Sequence, residues 1–273
     1  MTATATTAPN IEPFVNRITI TPNMAANWLD QANINNRRLR RSYAERLARD
    51  MAQGRWRLTH QGIAFDPHGV LLDGQHRLLG VVLADVPVDM HVWFNVTSET
   101  RSVIDVAPAR SIADVLRISQ VHGRVTAQHI AVLKTMLGGL AGPAEMTPTE
   151  ASEALKKHWE AVAFAIESVS KAKYIGNATT RAVIARAFYS VNCQRLRMFG
   201  RMLTTGIVPD ASATSIMLLR QNLYHTTGGS RVNRRDRYAK TQRALMAFLN
   251  GERITRLIAA RQELFPLPEE VEA

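Results

Sequence analysis

The chain has 273 residues, 46% of them hydrophobic, a single cysteine and a formal net charge of +11. That length supports a real core in one large domain or two unequal ones, and a lone Cys193 excludes an internal disulfide and a multi-thiolate zinc site. No apolar run reaches the roughly 18 to 20 residues that span a bilayer, and Met1 to Ala8 lacks the basic flank and apolar core of a secretion signal, so a cytoplasmic location is expected.

In chain order, residues 1–16 read as a disordered start. Arg17 to Thr21 alternates like a short strand, and Thr21-Pro22 then opens a helix to about Ala32, a cap followed by a first-turn proline. A second helix is expected from a Ser42 cap, with Tyr43, Leu47 and Met51 recurring on one side and Gly54 ending it. Trp56 to Leu58, Ile63 to Phe65 and Val70 to Leu72 read as short strands, the last two joined by a turn at Asp66-Pro67-His68-Gly69. Val86 to Val96 supplies one or two more. Residues 17–100 therefore form a compact α+β unit with small mixed sheets.

Beyond Thr97 strand signals nearly vanish. Helical periods run over Ser111 to Ile118, Thr126 to Leu137, Thr147 to Ser168, Thr179 to Met202, Ala211 to Tyr224 and Arg234 to Leu249. Residues 101–265 are expected to be an all-helical domain, with 266–273 as a tail. Two helices around a turn at Ser119 to Gly123 have the outline of a helix-turn-helix, although ordinary packing explains them as well. Cys193 falls inside a helical pattern and reads as a buried, inert thiol, and Thr226 to Ser230 as a surface loop.

The stretch Val70 to Arg77 carries the densest chemistry. An apolar strand leads through Asp73 and Gly74 into Gln75, His76 and Arg77 at the start of an apolar helix. A helix start exposes unpaired N–H groups and the positive end of the macrodipole. Gly74 permits close backbone approach and Arg77 offers a planar fork of donors, so the junction suits phosphate or another oxyanion. The plainer alternatives are that Asp73 caps the helix and that His76 bonds to nearby backbone.

Positive charge concentrates at Arg37, Arg38, Arg40, Arg41, Arg46, Arg49, Arg55 and Arg57, and again at Arg231, Arg234, Arg235, Arg237, Lys240 and Arg243. Such runs favour polyanions, and the second is the expected nucleic-acid contact. Aromatic residues are scarcely interleaved with either cluster, so contact with phosphates is expected there rather than stacking on bases.

Three blocks in the front part resemble the ParB/sulfiredoxin-like superfamily. Asn35-Asn36-Arg37-Arg38-Leu39-Arg40 with the following helix is similar to the N-P-x-x-P-R box of ParB N-terminal domains, and Gln61-Gly62-Ile63-Ala64-Phe65 to their Q-P-I-V-V strand. Asp73-Gly74-Gln75-His76-Arg77 stands where ParB has A-G-E-R-R and sulfiredoxin G-G-C-H-R, and equals the D-G-Q-H-R signature of some DNA-modification-associated proteins. The similarity covers about residues 17 to 96. A further stretch, Ile104 to Leu116, resembles the segment that follows this domain in phage and actinobacterial ParB-like proteins, with Arg110 turned toward the ligand. The resemblance implies a small mixed α/β domain that binds a nucleotide, CTP or ATP, through the Asp73 to Arg77 loop, with His60, Gln61, Arg38, Arg40 and Arg46 around it.

Two departures shape the expected chemistry. Gln75 replaces the sulfiredoxin cysteine, which removes that family's nucleophile. Asp50 stands where relatives carry Ser or Thr beside the phosphate. A carboxylate there repels phosphate unless a metal or proton intervenes, so Asp50 and Asp73 are expected either to hold Mg²⁺ or to act as a general base. The leading expectation is a DNA-associated NTP-Mg binding protein that acts as a switch or hydrolyses the nucleotide. The alternative is a phosphotransferase acting on a small hydroxyl compound or modified nucleoside, and a ParB-like nuclease is the least supported. A homodimer is a further expectation.

Overall fold

The computed structural model describes residues 12–34, 36, 38–102, 111–118, 125–169, 172–208, 213–225 and 230–271. The chain separates into two compact units, 1–110 and 111–273. The first is α+β and the second helical, the division expected from the sequence.

In the first unit, strands β1 (Phe14–Ile20), β2 (Ile63–Phe65), β3 (Leu71–Asp73) and β4 (Val88–Phe94) form one sheet in the order β1-β4-β2-β3. β1 and β4 pair antiparallel over seven residues, from Phe14 opposite Phe94 to Ile20 opposite Val88. β4 runs parallel to β2, and β2 is antiparallel to β3. Alternate residues Val88, Met90 and Val92 face the core with Ile20, Ile63 and Leu71, as the two-residue period of a strand requires.

Helices α1 (Pro22–Gln31), α2 (Arg41–Ala52) and α3 (Gln75–Ala84) pack together, α3 touching both others. Thr21 caps α1 by accepting from Met24 N–H at 3.2 Å, with Pro22 in the first turn. Asp66 forms the expected turn, its Oδ1 accepting from the N–H groups of His68 (2.9 Å) and Val70 (2.8 Å). Gly80 lets α2 and α3 approach closely: a Cβ there would stand 3.2 Å from Leu47 Cβ and 3.3 Å from Met51 Cε.

Several expectations for this unit are corrected. Residues Trp56 to Leu58 form no strand; Trp56 instead donates its indole N–H to the Asp89 carbonyl at 3.3 Å. α2 begins at Arg41 with Arg40 in the capping position rather than Ser42. Its buried positions are Ala44, Ala48 and Met51, while Tyr43 is exposed.

The second unit contains α4 (Ile112–Ile118), α5 (Ala127–Gly138), α6 (Pro148–Ser168), α7 (Ala178–Ala187), α8 (Cys193–Thr205), α9 (Thr214–His225), α10 (Arg231–Leu249) and α11 (Pro268–Val271). Thr147 and Glu150 open α6 with a reciprocal capping box. α7 is the centre: every residue from Thr179 to Ala187 is buried, because its mostly small side chains let α5, α6 and α10 pack around it. Among the described residues no helix is long and apolar enough to cross a membrane.

Here too the sequence reading is amended. The expected helix from Thr179 to Met202 is broken after Ala187, and Asn192 restarts it by accepting from Gln194 N–H at 2.8 Å. Cys193 is thus the first residue of α8 and only half-buried. The part of the expected tail that is described, 266–271, is not loose: Leu267 is buried, and the Glu270 carboxylate takes both oxygens to Arg186 Nη2 at 2.5 and 2.6 Å. The turn from Ser119 to Gly123, Asn35, Arg37, Ile104 to Arg110 and Thr226 to Gly229 lie outside the described residues.

Candidate functional site

The Asp73 to Arg77 junction is a strand-to-helix corner whose backbone depends on glycine. Gly74 has φ +104°, and a Cβ on it would meet Ile63 Cδ1 at 2.4 Å. Asp73 folds back on this corner, its Oδ1 accepting from Gly74 N–H at 2.7 Å. It therefore caps no later amide of α3, and no side chain fills the N-cap role there.

Arg77 reaches back toward β2. Its Nη1 donates to Asp73 Oδ2 (3.2 Å) and to the Gly62 carbonyl (2.9 Å), and its Nη2 donates to Gln61 Oε1 (3.3 Å). The guanidinium is thus a clamp between α3 and the approach to β2, balanced by the Asp73 carboxylate. Gly62 is needed where this approach passes β4, since a Cβ there would stand 1.8 Å from the His91 carbonyl oxygen. His60 and Gln61 are both exposed on this approach.

His76 is 7% exposed and accepts the Arg40 N–H through Nε2 at 3.0 Å. An imidazole that accepts at Nε2 is neutral and carries its proton on Nδ1, so Nε2 is committed to the Arg40 backbone and only Nδ1–H is left as a donor. Its ring meets Tyr43 edge-on at 5.3 Å, and Arg46 Cζ lies 5.2 Å from the centroid of the same tyrosine. Gln75 is also buried, its Oε1 accepting from Asn33 Nδ2 at 3.4 Å. Asn36 ties this corner down, donating to Asn33 Oδ1 (2.7 Å) and the Leu71 carbonyl (2.8 Å). The roles of Asn33 and Asn36 were not read from the sequence, although their crowding before a helix was the available signal.

These contacts set α2 and α3 side by side in the same direction. Arg40 and Tyr43 meet His76 at one end, and Leu47 and Met51 meet Gly80 further along. The start of α2 therefore lies against the start of α3: Arg38 and Arg40 to Ser42 at the α2 end are exposed, whereas Gly74, Gln75 and His76 at the α3 end are buried. The exposed positive dipole end of α2, with two guanidinium groups beside it, favours an anion.

Asp50 is elsewhere. It lies in the last turn of α2, about 15 Å along the helix from Arg40 at 1.5 Å per residue, and its Oδ1 pairs with Arg55 Nε at 3.1 Å and Nη2 at 3.0 Å. The expected pair of carboxylates, Asp50 with Asp73, is thus not brought together. Among the described residues no three His, Cys, Asp or Glu side chains form a metal-ligand group, and Asp50 and Asp73, each paired with its own arginine, do not make the expected two-carboxylate Mg²⁺ site. On β4 the Asp89 carboxyl is held low by the Thr19 hydroxyl and then by the Arg17 guanidinium.

The second basic cluster lies on α10, with the side chain of Arg231 outside the described residues. Arg234 and Arg235 are exposed and Arg237 is half-buried. Lys240 is paired with Asp236 at 2.8 Å and Arg243 with Glu252 at 2.8 Å. The exposed positive charge is therefore confined to the first turns of the helix, a smaller footprint than the sequence cluster suggested.

Two further polar groups in the helical unit escaped the sequence reading. Arg186, 1% exposed, donates to the carbonyls of Phe265 (3.0 Å) and Met136 (3.3 Å) as well as to Glu270. The Tyr238 hydroxyl donates to Glu263 Oε1 at 2.8 Å beside it, and burial raises that phenol's pKa. On α6, His158 Nδ1 lies 2.6 Å from the Tyr189 hydroxyl, and Glu269 is paired with Lys157. Burial pushes Tyr189 up to about 12 and lowers His158. These networks fasten the C-terminal segment to α6 and α7.

Among known proteins, no family model matches this chain, and no curated protein or solved structure matches it either.

Proposed function

We propose that the first unit binds a phosphate-bearing ligand, specifically a nucleoside triphosphate such as CTP or ATP, at the shared N-terminal end of α2 and α3. The observation that carries this is the Arg40 N–H to His76 Nε2 bond, which sets the start of α2 against the start of α3 beside exposed Arg38 and Arg40. The nucleotide itself rests on the resemblance of Asp73-Gly74-Gln75-His76-Arg77 to the ParB/sulfiredoxin-like superfamily. In this reading the backbone amides and the two arginines receive the phosphates, while Asp73, Arg77 and His76 hold the cradle in shape.

Binding is favoured over phosphoryl transfer. Transfer to a hydroxyl wants a carboxylate beside the phosphate to take the proton. Asp50 stands against Arg55 at the other end of α2, and Asp73 is occupied by Gly74 and Arg77. A nucleotide-dependent switch is therefore the function proposed for this unit, and DNA association through the first turns of α10 for the helical one.

The test is a stability shift against four NTPs and against tripolyphosphate. A ligand at about 100 times its dissociation constant adds roughly 2.7 kcal/mol, and this gain should persist with chelator present and fall in the double variant Arg38→Ala, Arg40→Ala. No shift with any of the five compounds would remove the proposal.

A further inference from the structure

The helical unit carries one surface on which exposed aromatic rings and cations alternate. Tyr174, in the turn before α7, is 42% exposed, and Tyr224, near the end of α9, is 40% exposed. Their rings meet edge to face at 5.6 Å. Each has its own cation: Lys173 Nζ lies 5.0 Å from the Tyr174 centroid and Arg220 Cζ 5.3 Å from that of Tyr224. Met217, 42% exposed, continues the same side of α9 as Arg220 and Tyr224 at helical spacing. His225 adds an exposed imidazole at the end of the helix.

Two features mark this surface as built. Tyr174 has φ +66°, a left-handed conformation that costs a bulky non-glycine residue free energy and that the surroundings must hold. Asn177 does so in part, donating from Nδ2 to the Tyr174 carbonyl at 2.8 Å. Arg220 is fixed in turn, its Nη1 donating to the carbonyls of Leu203 (2.6 Å) and Thr204 (2.7 Å), so its guanidinium is held beside the Tyr224 ring before any partner arrives. Nothing acidic opposes these cations along α9 or in residues 172–177, which contain no Asp or Glu.

We propose that this surface binds single-stranded nucleic acid, with bases stacking on Tyr174, on Tyr224 and on the Arg220 guanidinium, and with the backbone phosphates neutralised by Lys173 and Arg220. Exposed rings offer the π-face that every base shares, and cations between them suit the phosphates, so binding is strong in salt dependence and weak in sequence preference. A duplex keeps its bases stacked inside and gains nothing from the rings. An acidic peptide would meet the cations but leave the rings unused. The inference is independent of the nucleotide site in the first unit.

The experiment is fluorescence anisotropy of the full chain with labelled oligothymidylate and oligouridylate of about 16 nucleotides, the matching duplex, and polyglutamate. Tyr224→Ala removes one ring. Tyr174→Asn removes the other while keeping a residue that tolerates the left-handed backbone. Each should weaken single-strand binding by about five- to a hundredfold, the Tyr224→Phe variant should bind as the parent chain does, and duplex binding should not change. The two oligonucleotides then tell whether DNA or RNA is the source of the strand. Single-strand affinity unchanged in the folded double variant, polyglutamate bound as tightly as oligothymidylate, or no single-strand binding at low salt would each overturn the inference.

Discussion

His76 accepts the backbone N–H of Arg40 through Nε2 at 3.0 Å, across a sequence separation of 36 residues. One buried imidazole thereby ties the start of α2 to the first turn of α3. Its consequence is that the histidine of the Asp73 to Arg77 stretch uses Nε2 to shape the proposed anion site.

Truncating this ring tests that role. His76→Ala leaves the Arg40 N–H without its acceptor, a loss of about 1 to 3 kcal/mol for a buried group, while His76→Gln retains an acceptor and should cost less. Urea unfolding of the two variants measures the difference, and equal midpoints for both would contradict the assignment.

The glycines of the junction should rank by what a new Cβ meets. Gly62→Ala places it 1.8 Å from the His91 backbone oxygen, which cannot yield without moving β4. Gly74→Ala meets the movable Ile63 Cδ1 at 2.4 Å but adds the penalty of φ +104°. Gly54→Ala, at φ +66° with nothing within 4 Å, carries only the conformational cost of about 1 kcal/mol. Melting temperatures should fall in the order Gly62, Gly74, Gly54 from most to least affected.

Asp50 and Asp73 should separate cleanly. Asp50→Asn loses a mostly buried pair with Arg55, about 1 kcal/mol once solvent screening is allowed for, yet leaves phosphate-ligand affinity within twofold of the parent, because about 15 Å of helix lies between it and the junction. Asp73→Asn frees Arg77 and loosens the corner, so affinity changes as well. Calorimetric titration of both variants checks the contrast.

Mild acid should loosen the helical unit. Burial lowers the His158 pKa below its ordinary 6.5, with Glu269 opposing and Lys157 and Arg186 adding to the shift, and burial lowers His129 likewise. Above about pH 6.5 both rings are neutral, folded or unfolded, and their contribution is complete. As pH falls through that value the unfolded chain takes up protons first, so stability declines until the folded-state values are passed. His158→Gln with His129→Gln, which keeps a capping side chain beside Thr126, should flatten this decline in helix content followed by circular dichroism.

What the sequence disclosed was local. Thr21-Pro22 and the Asp66 turn each act within a few residues, and both formed as expected. The change from mixed to helical structure was equally plain, since it rests on hydrophobic period. The site was only half legible, because its decisive contacts are distant: Arg40 with His76, Asn33 with Gln75, and Arg77 with Gly62. Asp50 was misplaced for the opposite reason, since its true partner Arg55 is near in sequence but on the turn leaving α2. In α10 a run of positive charge overstated the basic surface, because Asp236 and Glu252 neutralise its second half.

The most direct measurement is amide chemical-shift mapping of the isotope-labelled chain titrated with ATP, CTP and tripolyphosphate. The proposed site requires the amides of Arg41, Ser42, Gln75 and His76 to shift together along one saturating curve, with Asp50 unmoved and the response weakened by Arg38→Ala with Arg40→Ala. Saturable shifts confined to α10, or none at the starts of α2 and α3, would contradict it.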